Sequence, residues 1–97
     1  SNEPGYYEDG WGGIRLENLY FVEETNGSNG HPDAKGWLSF ETLTMIPFER
    51  KLIDRDMLSP DELRWLDEYH FKVKNEISPM LENMEDKNWL NWACDLN

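Results

Sequence analysis

Apolar and polar residues alternate over 14–22, with Ile14, Leu16, Asn18, Tyr20 and Val22 on one side and Arg15, Glu17, Leu19 and Phe21 on the other. A period of two rich in branched and aromatic residues predicts a strand, and apolar groups on both sides predict cover on both faces. Residues 37–43 repeat the pattern as a second strand. Between them, 24–36 gathers Asn, Gly, Ser and Asp, with Asn26-Gly27 and Asn29-Gly30 as turn signals, so the three segments read as a hairpin at the edge of a larger sheet. After Pro47 the chain reads as an extended crossing and then a helix. Ser59 is its candidate N-cap, Pro60 its first position and Glu62 the partner in a capping box, while Asp61 and Glu62 suit the positive end of the helix dipole. Leu63, Leu66, His70, Val73 and Ile77 fall on one face, which makes His70 a packed or hydrogen-bonded core residue rather than a ligand. Ser78-Pro79 interrupts the helix, and 87–96 forms a last amphipathic helix with Trp89, Leu90, Ala93 and Leu96 inward.

Ahead of the first strand lies EPGYYEDGWGGIRLE, with carboxylates at its two ends, Glu3 and Glu17. If the chain reverses at Asp9-Gly10 and Gly12-Gly13, Glu3 and Glu17 come side by side on neighbouring strands. Two close carboxylates repel and raise one another's pKa unless a cation lies between them, and hard divalent ions favour such oxygen ligands. In a strand covered on both faces Glu17 would point into the sheet and need compensation, from metal or from Arg15 two residues before it. The bottom-up reading is half of a metal site. Its bland counterpart is a solvated acidic surface with an Arg15–Glu17 ion pair, since 20 of the 97 residues are Asp or Glu. Tyr6, Tyr7 and Trp11 lie near enough to line a rim, with core packing the commoner role for each.

A net charge of −11 argues against nucleic-acid binding, which needs clustered Lys and Arg, and against an anionic membrane surface. No apolar run approaches the roughly 20 residues that span a bilayer. One cysteine, Cys94, has no partner for a disulfide and reads as a small apolar residue of the last helix, which fits a reducing compartment. Asn26-Gly27-Ser28 has the form of a glycosylation sequon, which matters only in a secreted protein, and the lone His31 is assigned no role.

EPGYYEDG followed by GIRLEN resembles the end of the catalytic domain in the aminopeptidase P and prolidase group of "pita-bread" metallopeptidases. GWLSFETLTMIPFERKLIDRDMLSPDELRWLDEYH is similar to the C-terminal extension of cytosolic-type aminopeptidase P. The resemblance implies an α+β fold: residues 1–36 as the last strands of a pita-bread (creatinase/aminopeptidase-like) catalytic domain, incomplete here, and 37–97 as a C-terminal extension of a strand and then helices. The abrupt start within a strand motif is expected of a piece of a longer polypeptide.

Family members hold two divalent ions, usually manganese, with two Asp, one His and two Glu. The resemblance places the last two ligands on Glu3, at one ion, and on Glu17, bridging both, with Arg15 positioning the Glu17 carboxylate. It implies hydrolysis of the bond between an N-terminal residue and a following proline, in a cytoplasmic homodimeric enzyme whose other ligands lie upstream of Ser1. This chain alone is then inactive. The alternative is a non-catalytic binding or dimerisation module on the same fold. Buried contacts by Trp65, Trp89 and Trp92 would serve either reading.

Overall fold

Glycine sets the first reversal: Gly10 and Gly12 have φ of +80° and +137°, a left-handed region that side chains disfavour, and they turn the chain between two short strands. The computed structural model describes residues 1–25 and 36–95. The sequon, His31 and most of the expected loop, as well as Leu96, lie outside the described residues. Two compact units divide the chain, Ser1–Thr44 and Met45–Asn97.

In the first unit, β1 (Gly5–Glu8) pairs antiparallel with β2 (Gly12–Arg15). An isolated bridge between Asn2 and Asn18 continues that pairing. A second hairpin joins β3 (Tyr20–Thr25) to β4 (Trp37–Thr42), with Tyr20 opposite Thr42 and Val22 opposite Phe40. Its ladder runs on to Leu19, whose carbonyl accepts from Leu43 N–H at 2.8 Å and whose N–H donates to the Thr44 hydroxyl at 2.8 Å. The single strand expected over 14–22 is thus divided. Its first part pairs with β1 and its last part with β4, so the ladder changes partner across Leu16–Leu19.

Cover on both faces is not found among the described residues. Ile14, Leu16, Leu19 and Val22 are each more than half exposed, as are Trp37, Leu38 and Phe40. Asn18 is the one buried residue of this unit among the described residues.

In the second unit the capping box forms as its sequence predicts. Glu62 N–H donates to Ser59 Oγ at 3.2 Å, and Ser59 N–H donates to Glu62 Oε2 at 2.8 Å, opening α1 (Pro60–Ile77). The crossing before it carries two 3-10 turns, Arg50–Leu52 and Arg55–Met57, each started by an acidic side chain that accepts a backbone N–H. A further 3-10 turn at Ser78–Met80 marks the expected break, and α2 (Met84–Cys94) follows with Asn83 as N-cap. Helix α2 begins three residues earlier than the apolar pattern alone predicts, because Asn83 accepts from Asp86 N–H at 2.8 Å and supplies the start signal.

The core is Tyr69, Val73 and Leu90, with Met45, Phe48, Ile77, Leu81 and Cys94 packed against it. Leu66, His70 and Ala93 are also buried. Trp89 is a correction: it is 58% exposed rather than inward. Leu90, Ala93 and Cys94 follow the i, i+3, i+4 spacing of one stripe, and Trp89 stands about 100° round the helix from Leu90. Its indole instead lines a cavity of about 320 Å³ with Met45, Ile46, Pro47 and Leu81. Cys94 packs on the core as expected, and His70 is a core histidine. The architecture is the expected α+β arrangement of two hairpins followed by helices. Among the described residues no helix is long and apolar enough to cross a membrane.

Candidate metal centre

The register of the first hairpin brings the two carboxylates together. Gly5 faces Arg15, Tyr7 faces Gly13 and Asn2 faces Asn18, so Glu3 stands directly opposite Glu17. Asn2 and Asn18 exchange both backbone hydrogen bonds, at 2.9 and 3.0 Å, and Leu16 N–H donates to the Pro4 carbonyl at 2.9 Å. Glu3 and Glu17 therefore occupy the non-hydrogen-bonded position between these pairs. That is where antiparallel strands come closest, with Cα atoms about 4.5 Å apart.

Alternation places Glu3, Gly5 and Tyr7 of one strand on the same face as Gly13, Arg15 and Glu17 of the other. Arg15 Nε donates to Glu17 Oε2 at 3.1 Å, with both side chains about half exposed. Glu3 Oε2 accepts from the Ser1 hydroxyl at 3.0 Å. The Glu3 carboxyl is held below its ordinary pKa by the hydrogen bond from Ser1, by side-chain hydrogen bonding with Glu17 and by the Arg15 charge. The Arg15 guanidinium is raised above its ordinary value, chiefly by the Glu17 carboxylate and then by a hydrogen bond to the Tyr7 oxygen. Glu17 is open to solvent at this edge, not enclosed as a doubly covered strand would have it.

Tyr7 is the member of this cluster whose place the sequence did not reveal. Its ring lies across the two glycines that share its face: a Cβ on Gly13 would come within 2.5 Å of Tyr7 Cδ1, and one on Gly5 within 2.6 Å of the Tyr7 oxygen. A tyrosine two residues from one same-face glycine and opposite another was the available signal, legible once the turn is fixed at Gly10 and Gly12. Tyr6 and Trp11 are exposed, and the Tyr6 hydroxyl donates to Glu8 Oε2 at 3.4 Å.

The donor set fits part of a hard-cation site. Two carboxylates at the closest cross-strand position offer oxygen ligands on one face, one of them already oriented by an arginine. Among the described residues no group of three or more His, Cys, Asp or Glu could hold an ion, so these two would need ligands from elsewhere. Asn18, beside Glu17, is buried, and its Nδ2 has no hydrogen-bond partner among the described residues.

The family model for the C-terminal region of peptidase M24 matches residues 36–96. A probable Xaa-Pro aminopeptidase P of Coprinopsis cinerea is 49% identical over 92 residues, covering 95% of this chain. An aminopeptidase P1 of Lotus japonicus is 43% identical over 95 residues, 98% of this chain. The chain spans 14% of the length of each of these relatives. Among solved structures, X-prolyl aminopeptidase of Caenorhabditis elegans, described as a cytosolic enzyme with a di-nuclear active site, superposes with a TM-score of 0.80 at 32% identity. The match covers 96% of this chain and 15% of that one.

Proposed function

The chain belongs to the family of the C-terminal region of M24 peptidases, and from that premise we propose that the polypeptide carrying it is a metal-dependent aminopeptidase that removes an N-terminal residue standing before proline. Glu3 and Glu17 are the last two protein ligands of a site for two divalent ions, manganese by preference. Both carboxylates would hold the ions, Glu3 serving one of them and Glu17 shared between the two. The observation that carries this reading is the register, which seats the two carboxylates opposite one another with Arg15 on Glu17. Facing acids repel in a ladder; here the Ser1 hydroxyl and the Arg15 guanidinium offset that repulsion, so that Glu3 is held below its ordinary pKa and not raised as two isolated acids would be, and both carboxylates stay ionised as a hard cation requires.

Bound divalent ions supply Lewis acidity toward the scissile carbonyl and lower the pKa of water at the site. The residues of this chain contribute placement. Arg15 keeps the Glu17 carboxylate in one orientation, and the Tyr7 oxygen accepts from Arg15 and limits its swing. Residues 1–36 are the closing strands of the catalytic domain and 37–97 the extension, a division supported by the family match from residue 36 even though β4 pairs back onto β3. The exposed Trp37, Leu38 and Phe40 suit cover by the upstream part of the same polypeptide, and Trp65, Trp89 and Trp92 suit a homodimer contact. A cytosolic location agrees with the described relative from C. elegans.

Xaa-Pro hydrolysis by the full polypeptide tests this. Glu17→Ala is expected to abolish turnover together with bound metal, whereas a polypeptide that never hydrolyses such peptides would be a binding module on the same fold. Activity retained in Glu17→Ala would remove Glu17 from the site.

A further inference from the structure

Residues 45–48 lie along α1 as a strap, and two consecutive helix residues hold it. Tyr69 donates its hydroxyl to the Ile46 carbonyl at 2.7 Å, and Phe48 N–H donates to His70 Nε2 at 3.0 Å. The strap's apolar members Met45 and Phe48 pack on the Tyr69–Val73–Leu90 core, and the Phe48 ring lies 4.8 Å from Tyr69 and 5.9 Å from His70.

This arrangement fixes the proton on the imidazole. A backbone N–H can only donate, so Nε2 must be the bare nitrogen. Nδ1, 3.1 Å from the Leu66 carbonyl, then carries the hydrogen and donates it. His70 is 1% exposed, so no water replaces either partner at the ring. A second proton on Nε2 would face the Phe48 N–H donor to donor and leave an enclosed cation.

We propose that Tyr69 and His70 form a pH-sensitive clasp, closed on the 45–48 strap while His70 is neutral and opened when His70 takes up a proton. Protonation exchanges one backbone hydrogen bond for a charge conflict, and opening relieves that conflict and frees the strap while the capping box and core stripe still hold α1. The strap itself brings no titratable group. From α1 the ring faces Asp67, which favours the proton, and from the 3-10 turn Arg55–Met57 it faces Arg55, which opposes it. Those two are paired with each other at 3.2 Å, so their fields at the ring largely offset. From α2 the thiol nearest the core is Cys94, kept neutral by its own burial.

Burial pulls His70 below the ordinary histidine value of 6.5, ahead of the opposing effects of the Leu66 carbonyl and Asp67. A histidine favoured neutral in the folded state contributes stability that is fully present above about 6.5 and is lost as pH falls from there through the lower folded value. Clasp opening therefore gains about tenfold per pH unit across that window, one proton being taken up per opening.

The test is amide hydrogen exchange of the 97-residue chain followed by NMR from pH 7.5 downward, alongside the ring signals of His70. The expected result is a Phe48 protection factor that falls about tenfold per pH unit below 6.5, while amides in the middle of α1 keep theirs. In His70→Gln, whose side-chain oxygen accepts without titrating in this range, Phe48 protection should lose its pH dependence. Phe48 protection that stays level while the His70 ring protonates would overturn the clasp, as would loss of α1 protection in step with Phe48. If His70→Gln does not fold, the unmodified chain alone decides between these results.

Discussion

Tyr7, Arg15 and Glu17 form a short relay of contacts on one face of the first hairpin, and the relay depends on a fourth residue that has no side chain. Gly13 makes room for the Tyr7 ring, and its backbone does not demand glycine, since it is absent from the positive-φ positions among the described residues. Gly13→Ala is nonetheless expected to lower stability by about 1 kcal/mol, since the added methyl would meet Tyr7 Cδ1 at 2.5 Å and the Tyr6 carbonyl at 3.3 Å. The added methyl must push the ring aside, which frees the Arg15 guanidinium from the Tyr7 oxygen. Faster exchange of the Arg15 Nε hydrogen in Gly13→Ala, with a lowered urea midpoint, checks this; an unchanged rate would mean that the ring does not restrain Arg15. Spacing alone made Glu3 and Glu17 no more than two of many acids; the resemblance carried by EPG and GIRLEN singled them out with Arg15, and the register does set the two side by side with Arg15 on Glu17. Tyr7 was not legible, because its role depends on which residues share a face, and a turn shifted by one residue would send it to the other side.

Among the elements, α1 was the most legible, since Ser59, Pro60 and Glu62 announce its start and both bonds of the capping box form. Ser59→Ala should lower the stability of the second unit by about 1 kcal/mol, read as a shift of the urea midpoint at constant slope. No shift would show that the Ser59 hydroxyl, as acceptor for the Glu62 N–H, adds nothing to the helix start. The strand over 14–22 was legible as extended chain, but not its division, because alternation carries no record of which neighbour each half pairs with. Trp89 shows the limit on a short helix. An indole next to Leu90 reads as core by hydrophobicity alone, yet the buried stripe of α2 is narrow and passes through Leu90 and Ala93 instead.

At the scale of the molecule, its two units differ in how far they satisfy themselves. The second encloses Tyr69, Val73 and Leu90 in a core of its own. Among its described residues the first leaves both faces of its hairpins open, buries only Asn18, and presents two facing carboxylates that do not make a metal site by themselves. A chain spanning 14% of its relatives' length accounts for both features if the remainder of the polypeptide supplies cover and ligands. The sequence could indicate this through resemblance but not through composition, which counts acids without placing them. The most direct measurement is metal stoichiometry by elemental analysis of the full polypeptide and of its Glu3→Gln and Glu17→Gln variants. Two ions in the parent, about one after Glu3→Gln and none firmly held after Glu17→Gln are the values expected if, as proposed, Glu17 serves both ions. Full occupancy retained in Glu17→Gln would contradict the account.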